Sequence, residues 1–413
     1  MNANLRIPPL PELRAGYRTD VYFRRAKQAL EAADRRPRGL MQVFQKKDAL
    51  LCGMEEALAL LAAGAGHYRD DDKADRLFAD WMQARNESGV GNADARRAAE
   101  NRRLELEFEL DDLWESAAGD LEVEALADGD EVASWETVLT IAGVVPEFVQ
   151  LETLYLGALA RRTKIATKSR RVVEAAGDKP VLYFPARFDH WAVQEGDGHA
   201  AKVGGAFAVS TDAQAAWFGE KGEGTIPHVL IAAVEGEVVE SARLFNARFP
   251  EANLIALVDF HNDSVADTLA VAREMGDRLW GVRLDTSEKL TDTALQGEPD
   301  ADQLRGVQPL LVKKVRGALD AEGFGHVKIV VSGGFSVEKI NAFEGAEIPV
   351  DAYGVGSSLL EGRFDFTADL VELGGKPCAK VGRRLMPNPR LQPVNLKENF
   401  HEQKSPRGSG RSA

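Results

Sequence analysis

The chain has 413 residues, enough to bury a large core and to divide into two domains, and its formal net charge is −14. That acidity argues against nonspecific nucleic-acid binding, which needs a basic face, and reads instead as solubility. The two cysteines, Cys52 and Cys378, form no C-x-x-C pair, so neither a disulfide framework nor a cysteine zinc site is expected. With no signal-peptide pattern and no apolar run of ~18 residues, the expected location is the cytoplasm, off the membrane.

In chain order, residues 1–16 are proline-rich and predict an irregular arm. TDVYFRRAKQALEAADRR then predicts a helix capped by Thr19 or Asp20 and stopped near Pro37. LMQVFQKKDALLCGMEEALALLAAG reads as a strand, a turn and an apolar helix. Residues 68–118 are highly charged and poor in β-branched residues, which predicts helices with solvated faces, or an insertion. LEVEAL and VASWETVLTIAG, on either side of the turn ADGDE, are short strands. The run from Val144 to Gly177 returns to helices with an apolar face at 3.6-residue spacing.

From KPVLYFPARFDHW onward, apolar strands alternate with helices, which predicts a parallel sheet buried on both faces. The expected organisation is α/β. It comprises an arm (1–16), an α/β domain (17–179), an irregular β/α barrel (180–362), C-terminal strands returning to the first domain (363–395) and a disordered tail (396–413).

Polar groups fall at the carboxyl ends of the barrel strands, where such folds carry their chemistry. LIALVDFHND ends in Asp259 and Asp263, and LWGVRLDTS in Arg283 and Asp285. KIVVSGGFSVEKINAF places Gly333 and Gly334 at a strand-to-helix turn, and DAYGVGSSLLEG repeats the theme with Gly354, Gly356 and Ser357. Two such turns after an Arg-x-Asp strand end point to a site for a phosphorylated sugar, because glycine lets an anion approach backbone N–H groups at a helix N-terminus. The carboxylates suit ribose hydroxyls and a Mg²⁺ shared with a diphosphate, and they suit helix capping equally well. His228 in GTIPH sits in a loop mouth, either as a structural histidine or as a proton carrier or nucleophile. Phe184 and Arg187 in FPAR could stack on a ring and hold an anion, or serve as a core Phe and a surface Arg.

The motifs TDVY, LETLYLGALARRTKIAT, FPAR, GTIPH, VDFHND, GVRLD, VSGG and YGVGSSL, in this order, resemble the nicotinate phosphoribosyltransferase family. That family lies within the type II phosphoribosyltransferases, together with nicotinamide and quinolinate enzymes. The resemblance covers Thr19 to about Pro393, apart from residues 68–118. It implies transfer of a phosphoribosyl group to nicotinate in NAD biosynthesis, releasing diphosphate with ATP hydrolysis and Mg²⁺, by a homodimer whose active sites lie at the subunit interface.

By similarity, Asp20 and Tyr22 would reach into the partner's site, with Tyr22 and Phe184 sandwiching the pyridine ring. Arg187 would serve the diphosphate or the base carboxylate. Arg283 and Asp285 would contact base and ribose, and Asp259 the ribose or, with Asp285, the metal through the diphosphate. Gly333, Gly334, Gly354, Gly356 and Ser357 would hold the 5′-phosphate, and His228 matches the histidine phosphorylated by ATP. Three positions depart from the pattern. Pro185 stands where glycine is usual, and Thr286–Glu288 replaces Ser-Gly-Asp. Thr211-Asp212 stands where nicotinate enzymes show Ser-Asn-type residues, and a carboxylate there would suit an amide better than a carboxylate substrate.

The alternatives are a nicotinamide enzyme, a quinolinate enzyme drawing on Arg161, Arg162 and Lys164, and a non-catalytic phosphoribosyl-binding paralogue. A phosphosugar lyase or isomerase would need a Schiff-base lysine or a paired acid and base, and Lys328 lies at the wrong end of its strand.

Overall fold

The structure, a computed structural model, describes residues 7–399. The chain forms two compact units, one from residues up to Thr163 with those from Phe364 onward, the other Lys164–Arg363. The first strand of the expected barrel begins at Val181, and one uninterrupted helix, Glu152–Ala176, runs across the division between the units. No helix among the described residues is long and apolar enough to cross a membrane.

The first unit is built on a six-stranded antiparallel sheet. Its strand order is Lys376–Pro377, Phe366–Leu373, Arg38–Gln45, Thr137–Val144, Glu122–Ala125 and Gln392–Val394. The returning C-terminal strands thus pair with both sides of the N-terminal ones, at Gly39↔Leu373 and at Val123↔Val394. Arg38–Gln45 is central and buried on both faces, so its polar members need partners. Gln42 finds them in the backbone, donating to Arg384 O (2.8 Å) and accepting from Met386 N–H (2.9 Å). Met41, Val43, Leu139, Ile141, Phe148, Leu151 and Leu61 of the helix Met54–Gly64 share one core.

The charged stretch forms a helical hairpin, Asp71–Glu87 and Ala93–Leu113. Asp70 caps the first helix and Asn92 the second, each accepting from a backbone N–H three residues on. Trp81, Ala84, Leu106 and Leu110 give it a small core of its own. The described part of the N-terminal arm is more ordered than its composition implied. Leu10–Arg14 forms a helical turn with Pro11 in the first turn, where its missing N–H costs nothing. Buried Glu12 accepts from Arg18 and Arg85, and Arg14 donates to Asp111 (2.6 Å), which ties the turn to the hairpin. The next helix, Val21–Ala32, has Asp20 at its N-cap without a capping side-chain hydrogen bond, and it ends well before Pro37. Beyond Asn399 the expected tail lies outside the described residues; Leu396–Asn399 form a single helical turn.

The second unit is a parallel sheet with strands, in chain order, Val181–Tyr183, Ala208–Val209, Leu254–Leu257, Leu279–Leu284, Lys328–Val331 and Ala352–Val355. In space the order is third, fourth, fifth, sixth, first, second. The segment before His228 spans the gap between the two edge strands. Glu223 N–H donates to Val209 O (2.8 Å) and Ile226 N–H to Ile255 O (3.2 Å). The sheet is thus a curled parallel half-barrel whose edges are bridged by irregular chain, in keeping with the α/β, irregular-barrel expectation. Leu182, Ala208, Val330 and Ala352 pack together, with Phe184 and Ile255 against them. Lys328 pairs with Asp351 at the amino end of its strand (3.0 Å), away from any carboxyl-end chemistry.

Candidate active site

The fourth barrel strand, LWGVRL, turns Arg283 into a dense polar cluster. Its guanidinium donates to Thr225 Oγ1 (2.6 Å) and Asp285 Oδ2 (2.8 Å), and lies 5.8 Å from the centre of the Phe184 ring. Ser332, at the end of the fifth strand, donates to Asp285 Oδ1 (2.8 Å). Asp285 is therefore held from two strands, one hydrogen bond to each oxygen.

Asp259 follows the third strand. Its Oδ2 lies 3.3 Å from His228 Nε2, while Oδ1 is buried and has no partner among the described residues. Burial raises the Asp259 carboxyl above its ordinary range; His228 opposes the shift and the charge of Asp285 adds to it. Arg283 Nε and Thr286 Oγ1 are likewise buried without partners. An acceptor, a donor and a hydroxyl left bare beside one cluster form a template for a polar ligand. His228 is the first residue of the short helix His228–Ala233 and stays about half exposed.

Gly333 and Gly334 both have positive φ (81° and 67°), which a side chain would strain. Among the described residues the N–H groups of Gly333, Gly334 and Phe335 have no backbone hydrogen-bond acceptor, so the turn ahead of helix Val337–Gly345 presents donors to a ligand. Gly354 and Gly356 belong to the neighbouring sixth strand and its end, and Ser357 opens the 3₁₀ turn beyond. A Cβ on Gly354 would sit 2.9 Å from the Phe184 ring, and one on Gly356 2.9 Å from Phe188. At these two positions glycine makes room for aromatic rings of the FPAR loop.

Other residues take quieter places. Asp263 caps helix Ser264–Met275 through Ala266 N–H, so the capping reading holds there. Thr211 caps Asp212–Ala215 through Gln214 N–H, and Asp212 accepts from Gly222 N–H (2.9 Å). Asp212 thereby fastens the loop leading to His228. Arg187 is exposed, its guanidinium 5.2 Å from the Phe188 ring centre. Of the cations a quinolinate enzyme would call on, Arg162 is paired with Glu56 and Lys164 donates to Leu360 O (3.0 Å).

In the first unit, Asp20 Oδ2 accepts from Thr153 (2.9 Å) and from Tyr22 (3.3 Å), and Tyr22 is exposed. Beside them burial, with the charges of Asp369 and Asp20, pushes the Glu152 carboxyl up to about 7. The folded state then holds a proton that the unfolded chain releases near ~4.3, so this group costs stability as pH rises through that interval. Glu152→Gln is expected to stabilise the protein by about 1–2 kcal/mol at about pH 8, discounted for partial exposure, and by almost nothing at about pH 4. Urea unfolding at the two pH values checks this; an equal effect at both would contradict it.

Sequence reading did not assign Thr225, Ser332, Glu288 or Lys339. Ser332 stands one residue ahead of the Gly-Gly pair and Thr225 inside GTIPH, so the motifs held the signal. Glu288 and Lys339 become visible only when a loop and a helix from separate stretches of chain come together.

No family model matches this sequence. The chain is 31% identical over 271 residues to the nicotinate phosphoribosyltransferase pncB1 of Mycobacterium tuberculosis, covering 63% of this chain and 55% of that protein. It is 25% identical over 244 residues to a nicotinate phosphoribosyltransferase of Bacillus subtilis, covering 57% and 45%. The chain thus spans about half the length of these relatives. Among solved structures, the nicotinate-nucleotide pyrophosphorylase of Pyrococcus furiosus is 30% identical with a TM-score of 0.70, covering 92% of this chain and 81% of that one. Human nicotinic acid phosphoribosyltransferase, at 19% identity and a TM-score of 0.59 over 87% and 75% of the two chains, shares the fold.

Proposed function

Because the chain belongs to the nicotinate phosphoribosyltransferase family within the type II phosphoribosyltransferases, we propose that it joins nicotinate to phosphoribosyl diphosphate. The products are nicotinate mononucleotide and diphosphate, in a step of NAD biosynthesis coupled to ATP hydrolysis. The observation that carries this reading is Asp259, a buried carboxylate with a bare oxygen beside the Arg283–Asp285 pair.

Breaking the bond between ribose C1 and the diphosphate builds positive charge on the sugar and negative charge on the leaving group. Asp259 and Asp285 stabilise the first, and Arg283 with the free N–H groups around Gly333 and Gly334 anchors the anionic ends. The Phe184 ring beside the guanidinium gives the flat base a surface to lie on, which aligns its ring nitrogen for attack. Tyr22 and Asp20 serve the site of the partner in a homodimer, and the enzyme works in the cytoplasm.

Mg²⁺ suits the donor set at Asp259 Oδ1, a hard oxygen without a partner, better than at Asp285, whose oxygens each already accept a hydrogen bond. When bound it would neutralise the diphosphate as it leaves. His228, exposed and steadied by Asp259, is the residue ATP phosphorylates. A phosphorylated His228 would bring added charge next to Asp259 and reorganise the site.

Asp212 supports the nicotinamide alternative less than the sequence suggested, since one of its oxygens holds Gly222 N–H. The test is coupling. Added ATP should raise nicotinate mononucleotide formation by wild type on the order of tenfold, and His228→Ala should lose that rise while keeping the ATP-independent rate. Chelating Mg²⁺ should abolish both rates. An ATP effect that survives in His228→Ala would remove the histidine from the coupling.

A further inference from the structure

The loop after the fourth barrel strand folds across the glycine turn of the fifth. Gly334 has no side chain, and its missing Cβ position lies 1.7 Å from Glu288 Oε1, so a carboxylate is seated directly on this residue. Lys339, one turn into the helix that follows, donates to Gly333 O (3.3 Å) and lies 4.4 Å from the centre of the Phe335 ring. Burial lowers the Lys339 ammonium from its ordinary range, and the charge of Glu288 works against that shift. An anion, a half-buried cation and a turn with free N–H groups therefore meet at one point.

We propose that Glu288 is a displaceable internal anion of the phosphate cradle, which the incoming 5′-phosphate must push off Gly334, and that Lys339 exchanges Glu288 for that phosphate. This rests on the reading of Gly333–Gly334 as the phosphate turn. The physics is competition. A carboxylate and a phosphate, both anionic, cannot fill the same space over Gly334 beside one ammonium, so the phosphate's apparent affinity falls by the fraction of time Glu288 occupies it. The loop backbone is held at Leu290, whose N–H donates to Ser287 O (2.9 Å) and whose carbonyl accepts from Gly306 N–H (2.8 Å), while the Glu288 side chain is solvent-exposed and has room to swing outward. Glu288 would then lower affinity for phosphorylated sugars between turnovers, while its charge favours the ammonium form of Lys339.

The test measures binding of ribose 5-phosphate by calorimetry to the full chain, with nicotinate binding measured in parallel. Glu288→Gln keeps the size and removes the charge. It should tighten ribose 5-phosphate binding by about fivefold, the scale of one partly exposed ion pair, and leave nicotinate binding unchanged. Lys339→Gln should weaken ribose 5-phosphate binding by at least as much. Glu288→Gln binding that is unchanged or weaker, in a protein whose wild type binds the ligand, overturns the proposal and makes Glu288 a direct or metal-mediated contact. Absence of binding in wild type and both variants, with nicotinate still bound, overturns the phosphate turn itself and this proposal with it.

Discussion

Asp259→Asn is expected to lower kcat/KM for phosphoribosyl diphosphate by on the order of 10³, with the fold intact. Asparagine keeps the size of the side chain and an oxygen able to face His228, so the change isolates charge. In the role proposed for it, beside the cationic transition state and as a metal ligand, loss of this buried carboxylate would remove about 4 kcal/mol of transition-state stabilisation. The same substitution should leave thermal stability unchanged or slightly higher, because burial disfavours the ionised form of Asp259. Stability retained with activity lost is the signature of a group kept for chemistry at a structural cost. Steady-state kinetics beside thermal unfolding decides it; activity within tenfold of wild type would remove Asp259 from the reacting centre.

Arg283→Ala is expected to lower kcat/KM on the order of 10³ as well, and to destabilise the protein by about 2–3 kcal/mol. The guanidinium joins Thr225, Asp285 and the face of Phe184, so its removal leaves Asp285 with Ser332 alone and opens a gap in the barrel interior. Arg283→Lys should recover part of the stability and little of the activity, since an ammonium cannot span Thr225 and Asp285 in one plane. Chemical denaturation and kinetics on both variants check this. An Arg283→Lys variant with near-wild-type kcat/KM would show that charge alone, without the fork, is what the site requires.

The barrel was legible because its strands are short apolar runs that end in polar residues, and a parallel strand buried on both faces needs that pattern. LWGVRL announces its own end in Arg283 and Asp285. The closing segment was not legible: Glu223–Ile226 bridges the edge strands with isolated hydrogen bonds, and GEGTIP has no strand periodicity to read. Asp263 and Asp285 looked alike in the sequence, yet one caps a helix and the other sits beneath an arginine. Only the direction of the chain after each residue separates those roles. The order in Leu10–Arg14 was hidden for another reason. Glu12 and Arg14 are charged residues whose partners, Arg85 and Asp111, lie far along the chain. The placing of Glu288 over Gly334 is likewise a tertiary event.

The most direct measurement is diphosphate release from phosphoribosyl diphosphate with Mg²⁺, offering nicotinate, nicotinamide and quinolinate singly, with and without ATP. Release with nicotinate, raised by ATP, is the result this account predicts. Release only with nicotinamide or quinolinate would contradict the substrate assignment, and silence with all three bases would leave a phosphoribosyl-binding protein that does not catalyse.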